Sequence, residues 1–308
     1  MSKTTIASLS RDIQTEAQAY EYLERLRWDG RPACAHCGSE NVYYIAPIDG
    51  SASRKTRTGA LSERRVWRCR GCNKQFSVLT GTVMHGTKVS VRTWVMVWFE
   101  MCASKNGVAA REVERKYGLC PRTAWHLLHR IRTAMGNDDG AALSGIVEAD
   151  EMYIGKHHKG RGSGPKDKVP VVTVVERGGR ARSVVARTNV EAPMIVVDSV
   201  TPDTTVYTDE SRLYFDLDAY VAKHGTVNHS KKQWRRGEAC TNTVEGFFGQ
   251  VRRSLSGTHH RVTNKHAQRY LSEFDCRYST RGDTDADRMA MVLRQMDGPL
   301  PYRSLIGR

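Results

Sequence analysis

The chain has 308 residues, with 48 Lys and Arg against 33 Asp and Glu, a formal net charge of +15. A surplus that large favours a polyanionic partner, because each phosphate contact releases counterions, and the length allows two or three modules with a sizeable core. No segment approaches the ~18 apolar residues of a membrane span. The N-terminal MSKTTIASLSRDIQTEAQ lacks the apolar core of a secretory signal. The expectation is a cytoplasmic protein with no membrane partner. Its eight cysteines are then metal ligands or buried thiols rather than disulfides.

In chain order, Ala19, Tyr22, Leu23 and Leu26 recur at helical spacing and predict one helix over 12–27. Two CxxC knuckles follow, Cys34-Ala35-His36-Cys37 and Cys69-Arg70-Gly71-Cys72. Four thiolates so paired suit one structural tetrahedral zinc, with Gly38 and Gly71 expected at the tight turns. The intervening loop is longer than the usual ribbon spacing of about 15–20 residues. Its excess, 51–65, carries Arg54, Lys55, Arg57, Arg64 and Arg65. It reads either as a basic fingertip for phosphate or as a solvated loop. Cys102, Cys120, Cys240 and Cys276 have no such pairing and read as small packing residues.

Three helical patterns come next. Trp94, Val95, Trp98, Met101 and Cys102 stripe the first; the second runs over 108–117. Gly118-Leu119 turns the chain, and Pro121 suits the first turn of a third helix. There Ala124, Leu127, Leu128, Ile131 and Met135 form a buried stripe, leaving Arg122, Thr123, His126, His129 and Arg130 on another face. Helix, glycine turn and helix with a basic face is a helix-turn-helix-like pattern for double-stranded DNA; an ordinary three-helix packing unit gives the same pattern. Cys120 is a weak N-cap.

Beyond residue 140 the pattern changes to strands at 146–154, 169–176, 181–186, 204–208 and 226–229, with a turn at Gly178-Gly179. A Gly- and Lys-rich loop covers 156–168, and 211–223 has helical spacing. Three antiparallel strands followed by strand, helix, strand, helix is the order of an RNase H-like α/β domain. A last helix over 242–255 buries Val244, Phe247, Phe248, Val251 and Leu255. Asn242, Glu245, Gly249 and Arg252 share a different face by the same period. Asp150 in the first strand, Asp209 at the end of the fourth and Glu245 on this helix can converge on one point. Converging carboxylates bind hard cations, but 33 acidic residues offer many triples. On alternating geometry Glu148 shares the face of Asp150, while Glu151 points away and reads as surface. Glu210 reads as solvated, and His229 is a further candidate near the fifth strand.

The ordered segments ERLRWDG…CAHCGS, WRCRGCNKQFSVLTGTVM, GLCPRTAWHLLHRIRTAM, VEADEMYIGK, VYTDESRLY, VNHSKKQW, TNTVEGFFGQVRR and HRVTNKHAQRYLSEFDCRYSTR carry a resemblance. Together, over about residues 15–280, they resemble the bacterial insertion-sequence transposases that join an N-terminal zinc ribbon to an ISXO-type DDE domain. The resemblance implies an RNase H-like catalytic fold and binding to inverted-repeat ends. It also implies cleavage and strand transfer with magnesium or manganese, as a pair, held by Asp150, Asp209 and Glu245. Asn242 rivals Glu245 as third ligand, and Arg252 stands where such enzymes commonly carry a cation for phosphate. Two DNA ends must meet, so a homodimer or larger synaptic complex acting on transposon ends and target DNA is implied. The domain reading is 1–86 for the first helix and ribbon, 87–140 for the helical region, 141–280 for the catalytic domain and 281–308 for a tail. A non-catalytic DNA-binding regulator and a nuclease of the same fold that cuts without joining remain the alternatives.

Overall fold

The computed structural model describes residues 4–46, 54–55, 59, 61–137, 140–155, 168–231, 233, 235–260 and 262–307. The chain divides into two compact units. One comprises Met1–Ser104, Ala110–Asn137 and Asp283–Arg308; the other comprises Lys105–Ala109 and Asp138–Gly282.

The first unit opens with two helices where the sequence predicts one, α1 (Ile6–Asp12) and α2 (Glu16–Trp28). Thr5 and Thr15 each accept from the residue three ahead in a capping box, so each starts its own helix. The ribbon follows with β1 (Val42–Tyr44), a two-stranded pair β2 (Arg54–Lys55) and β3 (Leu61–Ser62), then β4 (Trp67–Cys69) and β5 (Gln75–Phe76). β1, β4 and β5 form one antiparallel sheet. Trp28 at the end of α2 packs edge-on to Trp67 and Phe76, with centroids 5.7 and 6.0 Å away. Glu24 of α2 accepts from Trp67 Nε1 at 2.8 Å and from Arg65 Nε at 2.9 Å. A buried charge is thus satisfied by partners from β4 and its approach. Helices α3 (Val91–Ala103), α4 (Ala110–Tyr117) and α5 (Pro121–Met135) come next. α3 is buried nearly all round rather than along one stripe, with Met96, Val97 and Phe99 as enclosed as Trp94 and Trp98. Gly118, at φ +62°, makes the turn between α4 and α5.

The second unit is one five-stranded sheet of β6 (Ile146–Gly155), β7 (Lys168–Glu176), β8 (Ala181–Val185), β9 (Thr205–Asp209) and β10 (Lys223–Val227). The spatial order is β10-β9-β6-β7-β8. β6, β7 and β8 are an antiparallel meander, while β9 runs parallel to β6 and β10 parallel to β9. Between β8 and β9 lies α6 (Ala192–Ser199). Its run Ile195-Val196-Val197 does not distinguish helix from strand by periodicity, and the sequence reading assigns it no element. The helical spacing over 211–223 resolves into two 3-10 turns, Arg212–Tyr214 and Leu217–Ala219. They still bury Tyr214, Leu217 and Val221 at that spacing. β10 starts three residues before its predicted position, because it pairs along the whole of β9 from Lys223↔Thr205 to Val227↔Asp209. Helices α7 (Asn242–Ser254) and α8 (Asn264–Ser279) follow, joined through a π-helical turn at Leu255–His259.

Alternation sorts the two faces of this sheet. Val147 and Ala149 of β6 pack with Val172, Val174, Val196 and Tyr214 on one side. Met152 and Ile154 pack with Val244, Phe247, Phe248 and Val251 of α7 and Leu271 and Phe274 of α8 on the other. The outer edge of β8 is closed by side chains of α8. The backbone N–H groups of Ala181, Ser183 and Val185 donate to Ser279 Oγ, Asp275 Oδ2 and Gln268 Oε1 at 3.1, 2.8 and 2.9 Å. An exposed strand edge is thereby capped.

Of the segment expected as a tail, Asp283–Arg308 belong to the first unit and form helices. α9 (Asp285–Arg294) and α10 (Tyr302–Ile306) form there. Arg288 donates to the carbonyl of Cys102 at 2.6 Å, and Arg27 pairs with Asp297 at 2.5 Å. Buried Met289, Val292, Leu293 and Met296 supply the apolar side of this return.

Candidate functional site

The four cysteines come together as predicted. Their sulfur atoms all lie within 4.8 Å of one another, with Cys34–Cys72 at 3.7 Å and Cys37–Cys69 at 3.6 Å. Zinc held at ~2.3 Å by four sulfurs sets tetrahedral edges of about 3.8 Å, so the quartet fits that ion. The Cys72 N–H, aimed at Cys69 Sγ at 3.4 Å, is the chief cause that draws the Cys69 thiol from 9.0 down to about 6. In both knuckles the left-handed residue is the one after the second cysteine, Gly38 at φ +73° and Asn73 at φ +58°. Gly71 serves differently from the expected turn. A Cβ there would meet Cys69 Sγ and Ser39 Oγ at 3.6 Å, an ordinary contact distance.

The acidic residues sit at the ends and on the face that the sheet provides. Glu148 of β6 pairs with Tyr207 of β9. Asp150 and Asp209 lie two residues further along these two parallel strands, just past the last paired residues, and by alternation on the same face. Glu245 is exposed on the first turn of α7, the helix that covers this face, and accepts from Thr241 Oγ1 at 3.0 Å. Burial raises the Asp150 carboxyl from 3.8 to about 7. The Glu151 N–H opposes the rise, and the charges of Glu151, Asp209 and Glu245 add to it. The trio is therefore near enough for its charges to be felt at Asp150. It is spaced more openly than the sulfurs, which are the one group of that tightness among the described residues. A carboxyl whose pKa is raised first by burial and then by neighbouring negative charge is an electrostatic setting a divalent cation relieves.

Neighbouring expectations divide. Glu148 shares the Asp150 face as alternation predicts, but it is fully buried. Glu151 does point to the other face, yet it is not a surface residue. It accepts the Tyr214 hydroxyl, and burial raises its carboxyl. Glu210 is half-buried rather than solvated and accepts from Ser230 Oγ at 2.5 Å. Asn242 is exposed at the start of α7, one turn before Glu245, and Arg252 is exposed two turns after it, over the Phe248 ring at 5.7 Å. The side chain of His229 lies outside the described residues. Sequence reasoning missed Arg177. It donates to Glu148 from the β7–β8 turn at 2.7 Å, and only the fold brings that turn beside α7.

The basic face of α5 is largely covered within its own unit. His129 is fully buried against Trp125, and Arg130 is 7% exposed, over the Trp94 ring and donating to the His85 carbonyl. His126 Nε2 meets the Leu300 carbonyl at 2.9 Å. His129 and Arg130 are therefore buried rather than on an open face, while His126 is half-buried. Thr123 is half-buried and paired with Cys120 Sγ at 3.0 Å; Arg122 remains exposed, over the Tyr302 ring at 5.7 Å. In the ribbon loop, Arg65 clamps Glu21 and Glu24 and stacks on Tyr44, while Arg64 donates to Ser77. Arg57 and the side chains of Arg54 and Lys55 lie outside the described residues.

Comparison with known proteins matches residues 14–75, which contain all four zinc-type cysteines, to a transposase zinc-ribbon domain. Residues 142–279, which contain Asp150, Asp209 and Glu245, match an ISXO2-like transposase domain. The chain thus carries one match to each of two transposase domain families, over separate segments. It is similar to an uncharacterized protein in transposable element ISH50 of Halobacterium salinarum, 26% identical over 285 residues, 85% of this chain and 90% of that one. It is also similar to an uncharacterized transposase-like protein of Haemophilus influenzae, 26% identical over 102 residues, 33% of this chain and 79% of the relative. The transposase domain thus holds the carboxylate trio, and the ribbon domain the sulfur cage. Among the described residues no helix is long and apolar enough to cross a membrane.

Proposed function

We propose that the chain is a DNA transposase that binds the inverted-repeat ends of an insertion sequence and performs metal-dependent strand cleavage and strand transfer. The observation that carries this reading is the match of residues 142–279, which contain Asp150, Asp209 and Glu245, to a transposase domain. The strand order, with a three-stranded meander and two further parallel strands, supports an RNase H-like fold. Asp150 and Asp209 would hold magnesium or manganese ions, with Glu245 or Asn242 completing the shell. Such ions, when bound, stabilise the attacking and leaving oxygens of a phosphodiester. Arg252 holds a phosphate beside them, and the exposed turn of Asn242 and Glu245 leaves room for the DNA backbone.

The net charge of +15 draws DNA to the protein. The ribbon and the α4–α5 pair choose the end, with Arg122 as the exposed cation at the start of α5. Pairing of two ends requires at least a dimer. The test is Asp209→Ala. End binding persists and magnesium-dependent cleavage is lost. Wild-type cleavage by this variant refutes the assignment, and a wild-type protein that cuts but never joins a pre-cleaved end makes it a nuclease instead.

A further inference from the structure

Glu148 has no exposed surface, and its carboxylate gathers the elements that carry the three acidic residues. Oε2 accepts from the backbone N–H groups of Thr243 at 2.6 Å and Val244 at 3.2 Å. Oε1 accepts from the Thr243 hydroxyl at 2.9 Å and from Arg177 Nε at 2.7 Å. The first turn of α7 has orphan N–H groups like any helix, and its own N-cap residue, Thr241, gives no side-chain cap. A strand residue two positions from Asp150 caps it instead, immediately before Glu245. Arg177 completes the link. Its Nη2 donates to the Glu238 carbonyl and to Cys240 Sγ, both at 2.9 Å, on the chain leading into α7. Its guanidinium lies 4.9 Å from the Tyr207 ring centroid, two residues before Asp209.

We propose that Glu148 is a positioning residue that pins the first turn of α7 to β6 and so fixes the placement of Glu245 relative to Asp150 and Asp209. Stability alone does not require it. A buried ion pair is commonly matched by apolar side chains of similar volume, and a Ser or Asp at the N-cap would satisfy the helix locally. What a local cap cannot do is tie α7 to the strand that bears Asp150. The inference rests on the proposed metal site, and metal binding tests it without reference to cleavage.

The experiment uses the full chain with manganese, bound ion being read by electron paramagnetic resonance and folding by thermal unfolding. The variants are Asp150→Asn, Glu148→Gln and the apolar pair E148M/R177M. Asp150→Asn should abolish manganese binding. Glu148→Gln and the apolar double variant should bind at least 10-fold more weakly, although the double variant unfolds near the wild-type temperature. A folded double variant with wild-type manganese affinity overturns the proposal, because the pair is then structural only. Unfolding of both Glu148 variants overturns it too, making Glu148 a folding determinant. Wild-type affinity in Asp150→Asn is a different failure. It removes the carboxylate metal site itself, and the proposal falls with that reading.

Discussion

Replacing Asp150 with Asn should stabilise the metal-free protein, and by more at high pH. The unfolded chain ionises this carboxyl near its ordinary 3.8, whereas the folded chain holds the proton until about 7. Its contribution to stability is therefore fully present below pH ~4 and is lost as pH rises through about 7. A shift of roughly three units corresponds to about 4 kcal/mol. Water reaching a partly exposed carboxylate screens it, leaving about 2–4 kcal/mol to be recovered by the neutral amide at pH 8. At pH 5 only somewhat over a third of that is recovered, since the penalty grows by about 1.4 kcal/mol for each pH unit above 3.8 until the folded carboxyl itself ionises near 7. For a chain of this size the pH 8 gain is a rise of about 4–8 °C in unfolding temperature. Scanning calorimetry in chelator at pH 5 and pH 8, followed by magnesium titration, reads it. Magnesium should stabilise the wild type and leave the Asn variant unmoved. Parallel pH profiles for the two proteins, or equal stabilisation by magnesium, would refute the argument that Asp150 is held protonated within a cation site.

Other predictions address separate parts. Cys69→Ser should release zinc, measured by atomic absorption, and loosen the ribbon so that end binding weakens; retained stoichiometric zinc with unchanged folding contradicts the sulfur cage. Arg122→Ala should weaken DNA binding and lower the salt dependence by about one phosphate contact. Arg130→Ala should instead lower the unfolding temperature with the salt slope unchanged, and the reverse pattern would show that the α5 face is open. Gly107→Ala should destabilise the transposase-domain unit by about 1–3 kcal/mol in urea unfolding. Gly107 has φ +85°, and a Cβ there would lie 2.8 Å from His259 Nε2 and 2.9 Å from Glu273 Oε1; a neutral result means those side chains swing away freely.

Local pattern by itself determined a good part of this protein. The CxxC pairs announced the sulfur cage, since a tetrahedral zinc needs four thiolates from two tight turns. Alternation placed Glu148 and Asp150 on one face of β6. The 3.6-residue period placed Glu245 opposite the apolar side of α7, with Val244, Phe247, Phe248 and Val251 buried as predicted. Tertiary structure decided which polar side chains meet solvent. His129 and Arg130 occupy helix positions that read as a basic face, but a segment more than 150 residues later returns to cover His126. No local period encodes that return. The same holds for Glu148. Its position was legible, but its partners Arg177 and Thr243 come from a turn and a helix that only the assembled sheet brings together. Short-range order follows from the repeat of the backbone, whereas the environment of a charge depends on whatever distant chain packs over it. That is why the faces of the acidic residues followed from local period while the raised carboxyl of Asp150 did not.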